Sequence, residues 1–160
     1  MSAWAERVLE AAALRAGDTV LDVGAGSGAL TLAAHDRIGE GWVIAVDPSV
    51  DALEELLRLA HAVSANGIMY LVGDAGVLPL PNASVDVAVL GSALVHVADT
   101  GSAARELARV LRPGGRLSLH DPLQRAGELQ AELEACGFAD VEAAMDDRPP
   151  RGLFVSARRS

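Results

Sequence analysis

Short apolar runs alternate with amphipathic stretches along most of the chain. Each run is bounded by Gly, Pro or Asp, which is the pattern of strands covered on both faces of a parallel sheet. The runs predict parallel strands at Thr19–Val23, Val43–Asp47, Met69–Gly73, Val85–Leu90 and Arg116–His120. Two later runs, Ala139–Met145 and Leu153–Arg158, predict a final pair of strands joined by a Pro-Pro turn.

Helices are predicted between these strands, where apolar residues recur at helical spacing. They cover Trp4–Leu14, Gly28–Ile38, Ser49–Leu59, Ala103–Leu111 and Glu128–Cys136. Ser49 is suited to cap the third helix, and Gly137 to end the last one in a left-handed cap. The alternation of strand and helix predicts a parallel sheet with helices on both faces.

Composition and charge exclude several classes of protein. The chain has 160 residues, 51% of them apolar, which suits one domain with its own core. A single Cys excludes an internal disulfide and a Cys-cluster metal site, so no metal is expected. The formal net charge of −9 disfavours binding to nucleic acid. No apolar run is long enough to cross a membrane or to form a signal peptide, so we expect a cytoplasmic protein without a membrane partner.

A glycine-rich loop follows the first predicted strand, as Asp22-Val23-Gly24-Ala25-Gly26-Ser27-Gly28. Glycines allow a sharp turn and close approach of a ligand, and the free N–H groups of the following helix face the same place. Asp47 lies 23 residues after Gly24, at the end of the second strand, where a carboxylate can hydrogen-bond a ribose diol. This pattern fits either NAD or S-adenosylmethionine.

Asp22 favours the second of these cofactors. A carboxylate at the end of the first strand would repel a pyrophosphate, whereas it would attract an ammonium or a sulfonium group. A dinucleotide is therefore the less favoured ligand, although the loop alone does not exclude it.

Five motifs then follow in a characteristic order. They are VLDVGAGSG at Val20–Gly28, AVDPS at Ala45–Ser49, GDA at Gly73–Ala75, the segment Leu78–Asp99, and ELARVLRPGG at Glu106–Gly115. Over about residues 18–159 the chain resembles class I S-adenosylmethionine-dependent methyltransferases, in particular the ubiquinone/menaquinone-biosynthesis type.

The resemblance implies an α/β fold that is Rossmann-like and doubly wound. Its sheet would have seven strands, mostly parallel, with the last strand antiparallel. A single domain over residues 1–160 would consist of an N-terminal helix (1–17), a cofactor-binding half (18–122) and a C-terminal helix and strand hairpin (123–160). The cofactor would be S-adenosylmethionine, and its product S-adenosylhomocysteine.

The resemblance also implies which residues bind the cofactor. They are Asp22, Gly24, Ala25, Gly26, Gly28, Asp47, Pro48, Val50, Asp74, Ala75, Gly91 and Ser92. The glycines of the loop would line the methionine part. Asp22 would hold its amino group, Asp47 both ribose hydroxyls, and Asp74 the adenine amino group. Pro48 and Val50 would pack on the adenine, although ordinary turn and helix packing explains them equally well.

Three residues are candidates for a general base. Methyl transfer is an in-line displacement in which the protein supplies orientation and desolvation, and an oxygen or nitrogen acceptor can also need its proton removed. His96, His120 and Asp121 should lie near the carboxyl ends of strands, and Gly91 and Ser92 should lie beside the sulfonium. Local packing or hydrogen bonding is the competing explanation for each histidine.

The chain departs from its relatives in being short. One helix precedes the first motif, and none of the five aromatic residues falls clearly in the expected pocket, so we expect a minimal core without a substrate lid. The sequence therefore favours a methyltransferase acting on a small-molecule substrate. The alternatives are a non-catalytic cofactor-binding module or partner subunit, and an enzyme for a large or carrier-bound substrate. A homodimer or a partner protein could complete the open site.

Overall fold

The computed structural model describes residues 2–97, 99–122, 126–146 and 151–160, which form one seven-stranded sheet with helices on both faces. The strands are β1 (Thr19–Val23), β2 (Trp42–Asp47), β3 (Ile68–Val72), β4 (Val85–Gly91), β5 (Leu111–Asp121), β6 (Phe138–Asp146) and β7 (Gly152–Arg159). The helices are α1 (Ala3–Ala12), α2 (Ala29–Ile38), α3 (Val50–Ala62), α4 (Thr100–Val110) and α5 (Ala126–Ala135), with a 3-10 helix at Ala93–His96.

The strand order is β3-β2-β1-β4-β5-β7-β6. Strands β1 to β5 pair in parallel, whereas β7 is antiparallel to both β5 and β6. The predicted doubly wound fold is therefore confirmed, including its antiparallel last strand. The order reverses between β1 and β4, and such a reversal opens a crevice at the carboxyl ends of the strands.

Six of the seven strands begin and end within one residue of their predicted bounds, and β5 is the exception. It begins at Leu111, five residues before its predicted start, and includes the Arg-Pro-Gly-Gly part of the last motif. The register against β4 shifts there, because Val85 pairs with Leu111 and Val87 with Arg116. Helix α4 ends at Val110, one residue before its predicted end. The predicted Pro-Pro turn between β6 and β7 lies outside the described residues.

The prediction that every strand is covered on both faces is wrong for the edge strands. In β3, Met69 is 45% exposed and Val72 is 57% exposed, and most of β6 is exposed as well. The inner strands are buried on both faces. One face packs in a cluster that includes Leu21, Leu90 and Leu119, and the opposite face packs Val20, Val87 and Val89 together with residues of α1 and α2.

The described part of the chain contains neither a candidate membrane-spanning helix nor a candidate metal site. No helix in it is long and apolar enough to cross a membrane. No group of three or more His, Cys, Asp and Glu side chains in it is placed to hold a metal ion.

Candidate functional site

A cavity of about 400 Å³ opens at the carboxyl ends of β1, β2 and β4, where the strand order reverses. Eight of the predicted cofactor-binding residues line it, namely Gly24, Gly26, Asp47, Pro48, Asp74, Ala75, Gly91 and Ser92. Its other lining residues, to which the sequence assigned no role, are Val23, Ala52, Gly73, Ala93 and Val97. All of them except Ala52 lie within the five motifs, and that position is the signal that could have found them.

The glycine loop is fastened to the neighbouring strand. The N–H groups of Gly24 and Ala25 both donate to the carbonyl oxygen of Val46, at 2.8 and 3.1 Å. Gly24 has a φ of +71°, and a Cβ at this position would lie 2.6 Å from the Cβ of Ala93. Only glycine fits here, because the backbone is left-handed and the 3-10 helix packs directly against it.

Asp47 ends β2 and lines the main cavity. Its Oδ2 accepts a hydrogen bond from the N–H of Gly26 at 2.9 Å, and its Oδ1 accepts one from the N–H of Ser49 at 2.8 Å. Each carboxylate oxygen has a second lone pair, so both can still accept a bond from a ligand. The two backbone bonds fix the orientation of the carboxylate.

Asp22 is almost fully buried, with 1% of its surface exposed. The hydroxyl of Thr31 donates to its Oδ2 at 2.6 Å. Burial raises the pKa of Asp22 to about 7, to which the like charge of Asp47 adds, while the hydrogen bonds from Thr31 act in the opposite direction. Asp22 lines a second cavity of about 190 Å³ rather than the main one; Gly24, Gly26 and Gly91 line both.

Of the predicted cofactor-binding residues, Gly28 and Val50 line neither the main nor the second cavity. Gly28 has a φ of +88°, and a Cβ there would collide with Leu56 of α3, so its visible role is to let α2 and α3 approach. Val50 begins α3 and is half exposed. Ala25, three residues before Gly28, is buried and lines the second cavity.

Asp74 and Ala75 follow β3 at the opposite side of the main cavity. Asp74 Oδ1 accepts a hydrogen bond from the N–H of Gly76 at 2.7 Å, and its carbonyl oxygen accepts one from the N–H of Val77 at 3.0 Å. The carboxylate of Asp74 therefore shapes its own turn as well as facing the cavity.

The same loop is fastened by the Glu-x-x-Arg part of the last motif. Glu106 Oε2 accepts a hydrogen bond from the N–H of Leu78 at 2.7 Å. Arg109 pairs with Glu106 and also donates to the carbonyl oxygens of Leu78 and Leu80. The hydrogen bond from Arg109 holds the pKa of Glu106 below its usual range. These two residues position the loop and do not line the main cavity.

His120 lies beside the site in an aromatic cluster. Its imidazole is 4% exposed and lies between Trp4 and Phe154, with ring centroids 5.7 and 4.8 Å away. Burial lowers the pKa of His120, and the positive charge of Arg7 adds to this effect, whereas the Arg151 backbone and the charge of Asp121 oppose it. Burial therefore favours the neutral form of the imidazole.

None of the five aromatic residues lines the main cavity, in line with the expectation from the sequence, but Trp4 lines the second cavity. Sequence reasoning missed the cluster itself, since Trp4, His120 and Phe154 are far apart along the chain. Ser92 connects His120 to the main cavity, with its Oγ 3.4 Å from Nδ1 of His120.

The other two base candidates are Asp121 and His96. Asp121 is buried at the end of β5 and, like His120, does not line the main cavity. The backbone of His96 lies in the 3-10 helix, and its side chain lies outside the described part of the structure. The catalytic roles of His96, His120 and Asp121 stay predictions.

The chain is similar to known methyltransferases in sequence. A family model described as a methyltransferase domain matches residues 21–119. An arsenite methyltransferase of Halobacterium salinarum is 30% identical over 85% of this chain and 41% of its own length. A ubiquinone/menaquinone biosynthesis C-methyltransferase of Shewanella frigidimarina is 33% identical over 71% of this chain and 46% of its own length. The chain thus spans less than half the length of these curated relatives.

A solved structure agrees with the sequence comparisons. An S-adenosylmethionine-dependent methyltransferase from Aquifex aeolicus superposes with a TM-score of 0.84 at 24% identity, covering 98% of this chain and 89% of its own, which shows the shared fold. The sequence predictions of the family and of its cofactor, S-adenosylmethionine, are confirmed. The chain belongs to the class I S-adenosylmethionine-dependent methyltransferases, with the ubiquinone/menaquinone-biosynthesis enzymes among its relatives.

Proposed function

We propose that the chain binds S-adenosylmethionine in the main cavity and transfers its methyl group to a small-molecule acceptor by in-line displacement. The observation that carries the proposal is the fixed carboxylate of Asp47. Backbone N–H groups of Gly26 and Ser49 hold it at the mouth of a cavity whose size of about 400 Å³ is typical of cofactor sites.

The lining residues supply suitable partners for each part of the cofactor. Asp47 would accept hydrogen bonds from the ribose hydroxyls. Asp74 would accept one from the adenine amino group, and the N–H of Ala75 would donate to a ring nitrogen. Pro48 lies on the same side and would pack on the adenine ring, as the lining of the cavity allows.

Gly91 and Ser92 would border the sulfonium. When bound, the cofactor supplies the electrophilic methyl group, so the chain has to orient the acceptor and exclude water. Both residues are small, they follow β4 directly, and they line the main cavity. These properties leave space for an incoming nucleophile.

A proton released by the acceptor could reach His120 through Ser92. The Ser92 hydroxyl would donate its proton to Nδ1 of the neutral imidazole and would accept the acceptor's proton in exchange. Ser92 Oγ lies 3.4 Å from Nδ1 of His120. The imidazole would then become charged, and the lowered pKa of His120 makes it a weak base for this step. His96 and Asp121 are the alternative bases.

A small molecule is the acceptor class that the comparisons favour. The relatives are named for acting on arsenite and in ubiquinone or menaquinone biosynthesis. The net charge of −9 also disfavours a nucleic-acid acceptor. A second copy or a partner protein would complete the site if the acceptor needs more contacts than this chain offers.

Calorimetric titration with S-adenosylhomocysteine and S-adenosylmethionine tests the proposal. We expect the wild type to bind both, and Asp47→Asn to weaken binding at least about tenfold, because a hydrogen bond to a charged group contributes about 1.5–3 kcal/mol. Asp51→Asn is the matched control, since Asp51 is an exposed acid in the first turn of α3 that does not line the cavity. Absence of binding, or binding of NAD instead, would overturn the proposal.

Transfer itself is tested with methyl-labelled cofactor and a panel of small acceptors. We expect label to pass from the cofactor to one acceptor class. A chain that binds the cofactor tightly and transfers no label, alone or with added partner proteins, would be a binding module instead.

A further inference from the structure

Thr31 is a buried hydroxyl that none of the predicted roles uses. It lies in the first turn of α2, is fully buried, and donates to Oδ2 of Asp22 at 2.6 Å. The other carboxylate oxygen of Asp22, Oδ1, is buried and accepts no hydrogen bond from the described residues. A buried acceptor without a donor is costly, and such groups are normally satisfied by a ligand or by water.

The surroundings of Asp22 lack a positive charge. Asp22 lines the second cavity together with Trp4, Ala25, Ser27, Ala29, Leu30 and three glycines, all of which are uncharged. Within the described residues, the charge that acts on Asp22 is that of Asp47, which has the same sign. A cationic hydrogen-bond donor is therefore the chemistry that this cavity is missing.

We infer that Thr31 is a positioning residue for the cofactor, because its hydroxyl occupies Oδ2 of Asp22 and leaves Oδ1 to accept a hydrogen bond from a primary ammonium group. The ligand is the ammonium of the amino-acid part of the cofactor, so this inference rests on the proposed function. Thr31 does not touch the ligand itself, and it acts by orienting the carboxylate and by favouring its charged form.

The hydroxyl of Thr31 also affects how cofactor binding depends on pH, because it lowers the pKa of Asp22. Apo Asp22 has a pKa of about 7, so a large fraction of it carries a proton at neutral pH, and that proton must leave when the ammonium binds. A hydrogen bond to the charged form lowers a pKa. Removing the hydroxyl should therefore raise the pKa of Asp22, and cofactor affinity should then fall most at low pH.

The test compares Thr31→Val, Thr31→Ser and Thr19→Val with the wild type by titration with S-adenosylhomocysteine between pH 6 and pH 8. We expect Thr31→Val to weaken binding about tenfold at pH 7 and less at pH 8, because the lost bond joins a hydroxyl to a charged group. Thr31→Ser keeps the hydroxyl and should restore both affinity and pH profile. Thr19→Val is the same substitution at the opposite end of β1 and should bind as the wild type does.

A second measurement is independent of the cofactor. The ¹³C resonance of the Asp22 carboxylate, followed by NMR in the apo protein, should titrate at higher pH in Thr31→Val than in the wild type. Thr31→Ala replaces the valine variant if the added methyl group prevents folding.

The outcomes separate the two proposals. An unchanged affinity and pH profile in a Thr31→Val protein that folds would overturn the inference and leave the proposed function intact. A wild type that binds no S-adenosylhomocysteine would overturn the proposed function and the cofactor role of Thr31 with it. The NMR titration would then still show whether Thr31 sets the charge of Asp22.

Discussion

The indole of Trp4 stacks on the imidazole of His120, with ring centroids 5.7 Å apart and ring planes inclined by 28°. Trp4 also covers Gly91, where a Cβ would lie 2.5 Å from Cη2 of the indole. The first turn of α1 therefore packs against the ends of β4 and β5, beside the main cavity. This contact lies partly outside residues 21–119, the range that the family model matches.

Trp4→Ala should destabilise the protein by about 2–4 kcal/mol in urea denaturation followed by circular dichroism. Removing a large aromatic side chain from a packed site costs about 3–5 kcal/mol when the side chain is fully buried, and Trp4 is only partly buried. Trp42→Ala is the matched control, because Trp42 is 54% exposed and its removal should change stability by about 0.5 kcal/mol or less. Equal effects of the two substitutions would contradict the packing role of Trp4.

Gly28→Ala should destabilise more than Gly17→Ala. Both glycines have left-handed backbones, with φ of +88° and +82°, so both substitutions cost about 1 kcal/mol in backbone strain. A Cβ at Gly28 would also collide with the buried Leu56, which adds about 1–3 kcal/mol, whereas a Cβ at Gly17 meets no atom within 4 Å. Thermal unfolding of the two variants measures the difference in their stability. Similar melting temperatures would show that α3 moves to accommodate the added methyl group.

Asp22→Asn should stabilise the apo protein above pH 7 while it weakens cofactor binding. The folded-state pKa of Asp22, about 7, is raised above the unfolded value of 3.8. As the pH rises, Asp22 loses its proton in the unfolded chain before it does so in the folded protein. The free energy of unfolding that Asp22 contributes is therefore lost as the pH rises from about 4 to 7. An uncharged Asn avoids that loss, which is on the order of 4 kcal/mol for a shift of this size.

Urea denaturation at pH 5 and pH 8 measures this effect. We expect the stability of Asp22→Asn relative to the wild type to increase between the two pH values. A constant difference would show that Asp22 is ionised in the apo protein across this range. Asp51→Asn, at an exposed acid, serves as the control and should show little change.

Arg109→Lys should cost about 1–3 kcal/mol, because a lysine cannot reproduce the fork that pairs Glu106 and two loop carbonyl oxygens at once. Arg58→Lys is the matched control. Arg58 also pairs with a glutamate three residues earlier in a helix, Glu55, but it is mostly exposed, so its replacement should change stability by less than about 0.5 kcal/mol.

Cofactor binding provides a second readout for the loop. If Arg109 holds the segment after Asp74 in place, the affinity for S-adenosylhomocysteine should fall in Arg109→Lys and stay unchanged in Arg58→Lys. An Arg109→Lys protein with normal stability and affinity would show that the loop keeps its position without the fork.

The sequence alone determined the fold and most of the main cavity. Strand periodicity placed six strands to within one residue, because alternation between buried runs and turn residues is a property of each segment by itself. The glycine loop and Asp47 were also predictable, since the residues at the ends of the strands also line the cavity. Eight predicted residues line the main cavity for this reason.

Only the tertiary structure decided which groups meet across the sheet. The stack of Trp4 on His120, the hydrogen bond from Thr31 to Asp22 and the contact of Gly28 with Leu56 all join different elements. The exposure of β3 follows from its place at the edge of the sheet, which strand periodicity does not encode. Local pattern reflects the preferences of single segments, whereas these contacts depend on how helices and strands pack together, so they become visible only in the folded chain.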